Sequence, residues 1–495
     1  MTSFLVESSE LLECEALVIG SGAGGSSVAL TLANAGLDVL IVEEGPYVPA
    51  ADAPPGLAQS MLRMWRGGGL LTTLGGAQIA MAEGRCVGGG TEINSAIFQR
   101  AANEVISEWA ITNRLRDFTP DLLAPYYEQA AAEVSASRTL DVAGPPTDIL
   151  VSAGNAMNWK VTSLERGQRS CVGTNLCSAG CPTGAKQSMS STLIPRALER
   201  RARLIAQCRV TRILFEGKRA TGALAEATGV EGRRHGLKIR AESVFVCAGT
   251  TQTPLLLKRS ALNKDAGRTF QLHPTVRVVA KFPWVVNAHR YRLPLAAITE
   301  FSPKLRIGGS INSVSTYAMA MAEDWTTRSK RLADYASSGI YYAMLRPDGV
   351  GRLRNVPRAE SSLATYSLTE RDWRFLADGL CKLAQALFAA GATHVFPSIR
   401  NHPGWSSPRE LDRTHIADTL RRRASLMSIH LFSSCPMGEG AGHLVNSYGA
   451  LIGFENVMIA DGSVLPNAPG VNPQATIMAL AFRTAEAFLT RQSAH

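Results

Sequence analysis

The hydrophobic pattern begins with a block: Ala16-Leu17-Val18-Ile19 is an unbroken apolar run, too short for a helix and bounded at once by glycine. Such a run reads as a strand buried on both faces. Residues 26–35 then look helical up to Gly36, a helix stop, and residues 37–43 form a second apolar run ending on Glu43. Further strand-like stretches recur over 204–214, 243–249 and 457–463, and a helix-like stretch follows at 474–489. Strand, turn, helix and strand in this order predict an α/β fold built on a doubly wound, Rossmann-like sheet. From about 271 to 429 the pattern changes to strand-like runs at 275–282, 296–301 and 339–345, then one long helix over 369–390.

Length adds that one ordinary core is not enough: 495 residues imply two connected domains or one with another inserted. A hydrophobic content of 45% with 19% charged residues excludes a disordered chain. The net charge of +10 raises the question of a nucleic-acid partner. Its local clusters, Arg200-Arg201 with Arg203, Arg233-Arg234 and Arg421-Arg422-Arg423, carry no interleaved aromatics and read as solvated surface. A mild bias toward anionic cofactors or substrates is what remains. The acidic start, with Glu7, Glu10, Glu13 and Glu15, does not read as a signal peptide, and no apolar stretch approaches the ~20 residues of a membrane span. Nine cysteines without a secreted-domain spacing fit a reducing compartment, so a cytoplasmic location is expected.

The candidate chemistry starts at the first turn. Gly20, Gly22 and Gly25 form GxGxxG between strand and helix, with Glu43 about 20 residues on. The first glycine permits the tight turn, the second admits a pyrophosphate to the backbone, and the third lets helix and strand pack closely. The helix N-terminus then faces the phosphates and Glu43 the ribose hydroxyls, which suits FAD or NAD and disfavours NADP. A second glycine-rich segment, Gly84-Arg85-Cys86-Val87-Gly88-Gly89-Gly90-Thr91-Glu92-Ile93-Asn94, can wrap amides around an anion or a planar ring.

That second segment resembles the first signature of the glucose-methanol-choline (GMC) oxidoreductases, GRxLGGSSxIN. Residues 249–260, Gly-Thr-Thr-Gln-Thr-Pro-Leu-Leu-Leu-Lys-Arg-Ser, resemble the second, departing at Ala261. His430-Leu431-Phe432-Ser433-Ser434-Cys435-Pro436-Met437-Gly438 is similar to HxxGTCxMG, with two serines replacing Gly-Thr. Residues 457–463 and 469–476 complete the set. Within the family, the chain most resembles the long-chain alcohol oxidase and cholesterol oxidase-like members.

The resemblance implies FAD as cofactor and an alcohol carbon as the site of oxidation. It places Arg85, Gly88, Gly89, Gly90, Asn94, Val210, Asp461, Gly462, Asn472 and Pro473 at the cofactor, beside Gly20, Gly22, Gly25 and Glu43. It implies His430 as the base and Asn472 as the side chain that positions the hydroxyl. An imidazole suits proton removal at neutral pH, because its ordinary pKa is about 6.5. Asn472 also has a plainer reading as the cap of the following helix. Family members that hold FAD covalently use a histidine just before the signature asparagine; here that place is Ile93, so non-covalent FAD is expected.

The signatures are spread along the chain, so residues 1–95, 155–270 and 430–495 are expected to assemble the FAD-binding domain. Residues 96–154 and 271–429 would form the substrate domain and cap, which the family builds as α+β on an antiparallel sheet. Cys171, Cys177 and Cys181 lack ligand spacing and a clear fourth member, so no metal is expected, and a local disulfide or buried thiols are the readings. The partners implied are a small alcohol and oxygen or another electron acceptor, with the oligomeric state left open. A lyase or decarboxylase on the same fold, or a flavin protein without catalysis, are the competing functions.

Overall fold

The computed structural model describes residues 4–6, 8–138, 144–356 and 362–492. Residues 1–3 and Glu7 of the acidic start, and 139–143 and 357–361 of the expected substrate segments, lie outside it.

Two sheets organise the chain. The first runs in the order Cys208–Glu216, Arg219–Thr228, Arg234–Val246, Leu11–Ile19, Val39–Val42, Arg203–Ile205, and Val457–Ile459 joins the far end of Arg234–Val246. Leu11–Ile19 pairs in parallel with both neighbours, and Ala16 through Val18 have no accessible surface. That explains the unbroken apolar run, since a parallel strand is covered on both faces. The helix Ala23–Asn34 follows the turn at Gly20, whose φ of +101° is open to glycine at no steric cost. At Gly24 a Cβ would lie 1.8 Å from the Ala460 carbonyl oxygen, so the absent side chain lets this helix meet the end of Val457–Ile459.

The expected single strand over 204–214 is two. Gln207 adopts φ +51° and turns the chain, so that Arg203–Ile205 pairs in parallel with Val39–Val42 while Cys208–Glu216 starts an antiparallel meander. The turn breaks a stretch that reads as one strand in sequence.

The second sheet runs Leu71–Thr72, Ile79–Met81, Leu426–Ser428, Thr275–Lys281, Ser338–Leu345, Leu305–Gly309, Ala296–Ile298, Val161–Ser163, with His394–Pro397 against Thr275–Lys281. Period two decides its faces. Val276, Val278 and Ala280, with Ile307, Tyr341 and Ala343 of the neighbouring strands, form one buried core with Leu376, Leu380 and Leu387 of the helix Glu370–Ala389. Thr369 starts that helix through a capping box with Asp372, close to the start read from sequence. Thr275, Arg277, Tyr342 and Met344 occupy the other face. Sheet membership cuts across the expected domain boundaries, because 71–72, 79–81 and 161–163 all belong here rather than to the first sheet. Among the described residues, no helix is long and apolar enough to cross a membrane.

Candidate active site

A cavity of about 710 Å³ opens between the two sheets and is lined from both. On the first sheet's side its wall includes Gly20, Gly22, Glu43, Gly89, Gly90 and Val210. Added Cβ atoms at Gly22 and Gly90 would meet nothing closer than 4.0 Å, so these backbones face open space. A dinucleotide needs such a bare cradle beside a helix start.

Glu43 reaches this wall while keyed into the turn. Ser21 donates to its Oε2 from the backbone N (3.0 Å) and from Oγ (2.7 Å), and Gly45 N donates to Oε1 (2.8 Å). Burial raises its pKa and these bonds oppose the rise. Ser21, which the sequence reading passed over, thus joins the acid to the glycine turn, and its Oγ also accepts from Gly88 N at 3.1 Å.

Three residues expected at the cofactor stand off the cavity wall. Gly25 is packing space, since its Cβ would lie 1.9 Å from Gly20 O. Gly88 acts through its amide on Ser21. Arg85 is held in an ion pair with Glu44 at 3.3 Å.

The remaining expected residues also line the cavity. Asn94 lines the cavity and ties two distant segments, donating from Nδ2 to Gln474 Oε1 at 2.8 Å and accepting from Ala96 N at 2.9 Å. Asp461, beside Gly462 on the wall, accepts from Gly249 N (2.9 Å), Thr253 Oγ1 (2.5 Å) and Ser463 N (2.8 Å). Pro473 sits one position before the helix Gln474–Gln492, its carbonyl accepting from Ile477 N at 2.9 Å. The first amides of that helix have no intrahelical acceptor, and their dipole end is positive.

His430 and Asn472 meet on the same wall, with Asn472 Nδ2 placed 3.2 Å from His430 Nε2. Behind His430 stands a residue that sequence reasoning missed. His273 Nδ1 lies 3.1 Å from His430 Nδ1, and its Nε2 accepts from Gly470 N at 3.1 Å. Those roles cannot all hold at once. With donors at both ends, each neutral ring would carry its proton on Nδ1 and the two protons would collide. The Gly470 amide is fixed, whereas the Asn472 amide can exchange oxygen for nitrogen, and its Oδ1 is buried without a partner. The consistent resting arrangement has His273 donating from Nδ1 to His430, and His430 donating from Nε2 to Asn472 Oδ1. Both rings are neutral: burial, then the Arg306 charge, pushes His430 down to about 3, and burial with the neighbouring His430 holds His273 well below the usual range.

The plain thiol reading fits Cys171, Cys177 and Cys181, which are free, with Cys177 accepting from Arg166 at 3.3 Å.

Comparison with known proteins identifies the family. GMC oxidoreductase family models match residues 61–275 and 352–481, and an FAD-binding domain model matches 15–58. An uncharacterised GMC-type oxidoreductase, y4nJ of Sinorhizobium fredii, is 48% identical over 99% of this chain and 97% of its own. The chain belongs to the GMC oxidoreductase family. Long-chain-alcohol oxidase FAO1 of Arabidopsis thaliana is 26% identical over 95% of this chain and 66% of its own length. Among solved structures, pyridoxine 4-oxidase from Mesorbium loti shares the fold with a TM-score of 0.73 at 16% identity, covering 96% of this chain and 99% of that one. This GMC protein is an FAD-dependent oxidoreductase with a Rossmann-like FAD-binding fold.

Gly22→Val would put a branched side chain into the bare cradle. Purified Gly22→Val protein is expected to be folded by circular dichroism and colourless, lacking the visible flavin bands. A yellow variant with full FAD content would show that the cofactor lies elsewhere.

Proposed function

We propose that this GMC oxidoreductase oxidises an alcohol carbon to the carbonyl, the hydroxyl being held by His430 and Asn472. The observation that carries the reading is the pairing of these two side chains on the wall of the same cavity as the glycine cradle. Relatives named long-chain-alcohol oxidase and oxygen-dependent choline dehydrogenase support the alcohol class. FAD, when bound, supplies the hydride acceptor. Gly20, Gly22, Gly89, Gly90, Asn94, Val210, Asp461 and Gly462 line its place, and the start of the Gln474 helix offers amides and a positive dipole end to developing negative charge. Oxygen or another electron acceptor completes the set of partners.

The substrate oxygen meets His430 Nε2–H and the Asn472 amide in the resting site. For His430 to take the hydroxyl proton, Nε2 must be bare, which places the proton of His430 on Nδ1 and that of His273 on Nε2. That exchange leaves the Gly470 amide without its acceptor, a cost of about 1–3 kcal/mol for one buried unpaired group. His273 is therefore a positioning residue: it sets which nitrogen of His430 is basic.

Mixed anaerobically with a panel of alcohols, the holoprotein is expected to bleach with at least one class. His430→Ala should slow that bleaching by roughly 10²–10⁴-fold, the usual contribution of one acid–base group, while keeping FAD bound. A panel without any bleaching, or an unchanged variant, would remove the reading.

The pH dependence follows from the sign of the His430 shift. A base must be neutral to accept a proton, and a pKa depressed to about 3 keeps it so until the pH falls toward that value. The kcat/KM for flavin reduction is expected to be flat from pH 8 down to about 5. An inflection near the ordinary ~6.5 would contradict the buried, neutral pair.

With Ile93 where covalent relatives hold a histidine, we expect dissociable FAD. Acid precipitation should leave unmodified FAD in the supernatant; flavin retained in the pellet would show a bond.

A further inference from the structure

The face of the second sheet that looks into the cavity carries two cations without counter-ions. Its strands align in rows. Thr275 is paired with Met344 and Met427, and Met344 in turn with Arg306; one row further on, Arg277 is paired with Tyr342, and Tyr342 with Gly308. The rows are about 7 Å apart, two residues along a strand. The first is the nearer to His430, which follows Ser428 by two residues, and its cavity-lining side chains are mostly apolar, Met344 and Met427 with Thr275. The second presents Arg277 and Tyr342 to the cavity.

Arg306 is 3% exposed, and its Nη2 is buried without a partner. The Nε of Arg277 is in the same position. Neither side chain makes a hydrogen bond or ion pair with the described residues. The carboxylate that acts on Arg277 at longer range is Glu323, and it is already engaged by Ser425 Oγ at 2.6 Å. Around Arg306 the interacting group is the Tyr342 phenol, which lies over Gly308, so close that a Cβ there would be 2.6 Å from its oxygen. Burial pulls both guanidinium groups down. A half-buried cation with no partner is unfavourable, and a ligand that supplies the partner relieves it. The phosphates of FAD are served at the Gly20 turn on the other sheet, so they are not that ligand.

We propose that the substrate is a hydroxy acid: its carboxylate is received by Arg277 beside Tyr342, and an apolar span lies along Met344 and Met427 toward His430 and Asn472. The inference rests on the alcohol-oxidation reading for the carbinol end and on the unpaired, cavity-lining Arg277 for the acid end. A planar carboxylate suits the fork of a guanidinium group.

Two measurements on the FAD-loaded protein separate these supports. Titration with octanoate, followed by perturbation of the flavin spectrum, reads the acid end without turnover. Octanoate is expected to bind at least tenfold more tightly than octanol and more tightly than inorganic phosphate, and Arg277→Met to weaken octanoate at least tenfold. Arg277→Met should also keep or raise the melting temperature of the unliganded protein, since it removes an unpaired, half-buried charge, which shows that the variant folds. Anaerobic reduction by ω-hydroxy acids against n-alcohols of equal length reads both ends: the ratio of kcat/KM should favour the hydroxy acid and fall at least tenfold in Arg277→Met. Octanoate bound no better than octanol, phosphate bound equally well, or an unchanged ratio in the variant would overturn the carboxylate subsite while leaving alcohol oxidation intact. Tight, Arg277-dependent octanoate binding with no reduction by any alcohol would instead overturn the alcohol reading and leave the subsite standing.

Discussion

The close approach of bare backbone from segments far apart in sequence is the constraint on which the rest depends. A Cβ on Gly24 would reach 1.8 Å from Ala460 O, and a Cβ on Gly89 would reach 2.9 Å from the Gly22 Cα. No rotamer change relieves such contacts, because the obstructing atoms are main chain. With hydrogen atoms in place of side chains, the first turn, the second glycine segment and the C-terminal strand end converge, and what they leave between them is the cofactor cradle. Asp461 then fastens the same junction, accepting from the Gly249 turn and from Thr253 on the helix that follows it.

From that junction the chain carries its chemistry in two directions. The segment after Asp461 brings Asn472 and the helix start at Gln474 to one end of the cavity. The short pairing of Leu431–Phe432 with Gln271–Leu272 brings His430 against His273 at the same place. That pairing also marks the start of the strand Thr275–Lys281, whose alternation sends valines into the helix-backed core and Arg277 into the cavity. The segment leading into that strand thus places His273 behind His430, and Arg277, four residues after His273, faces the cavity, which gives the cavity a chemical direction. The low proton affinity of His430 has the same origin as the unpaired arginines, since burial acts on both and Arg306 acts on the histidine.

The parts of the fold legible in sequence are those written in local pattern. The buried run at Ala16–Ile19, the glycine turn and the long helix with its Thr369 cap follow from residues that are neighbours in the chain. FAD and the GMC family were legible for a related reason: close backbone approach needs glycine itself, so its positions survive as motifs. Residues whose role arises from non-local pairing were not legible. His273 has no mark beyond its place before a strand-like run, and it becomes part of the site only because 271–272 pairs with 431–432. Gln207 broke a strand-like stretch through a left-handed turn that no glycine announced. Arg85, Gly88 and Gly25 match motif positions, yet they act one step away from the cavity, through an ion pair, an amide and a packing contact.

The central claim is that a carbinol held at His430 and Asn472 loses hydride into the cavity that the glycine cradle shapes. Comparing anaerobic flavin reduction by an alcohol and by the same alcohol deuterated at the carbinol carbon tests it most directly. The account predicts a several-fold slower reduction with the deuterated alcohol, because the carbon–hydrogen bond breaks in the step that bleaches the flavin. Reduction that proceeds at the same rate with both, under conditions where binding and release are fast, would contradict it.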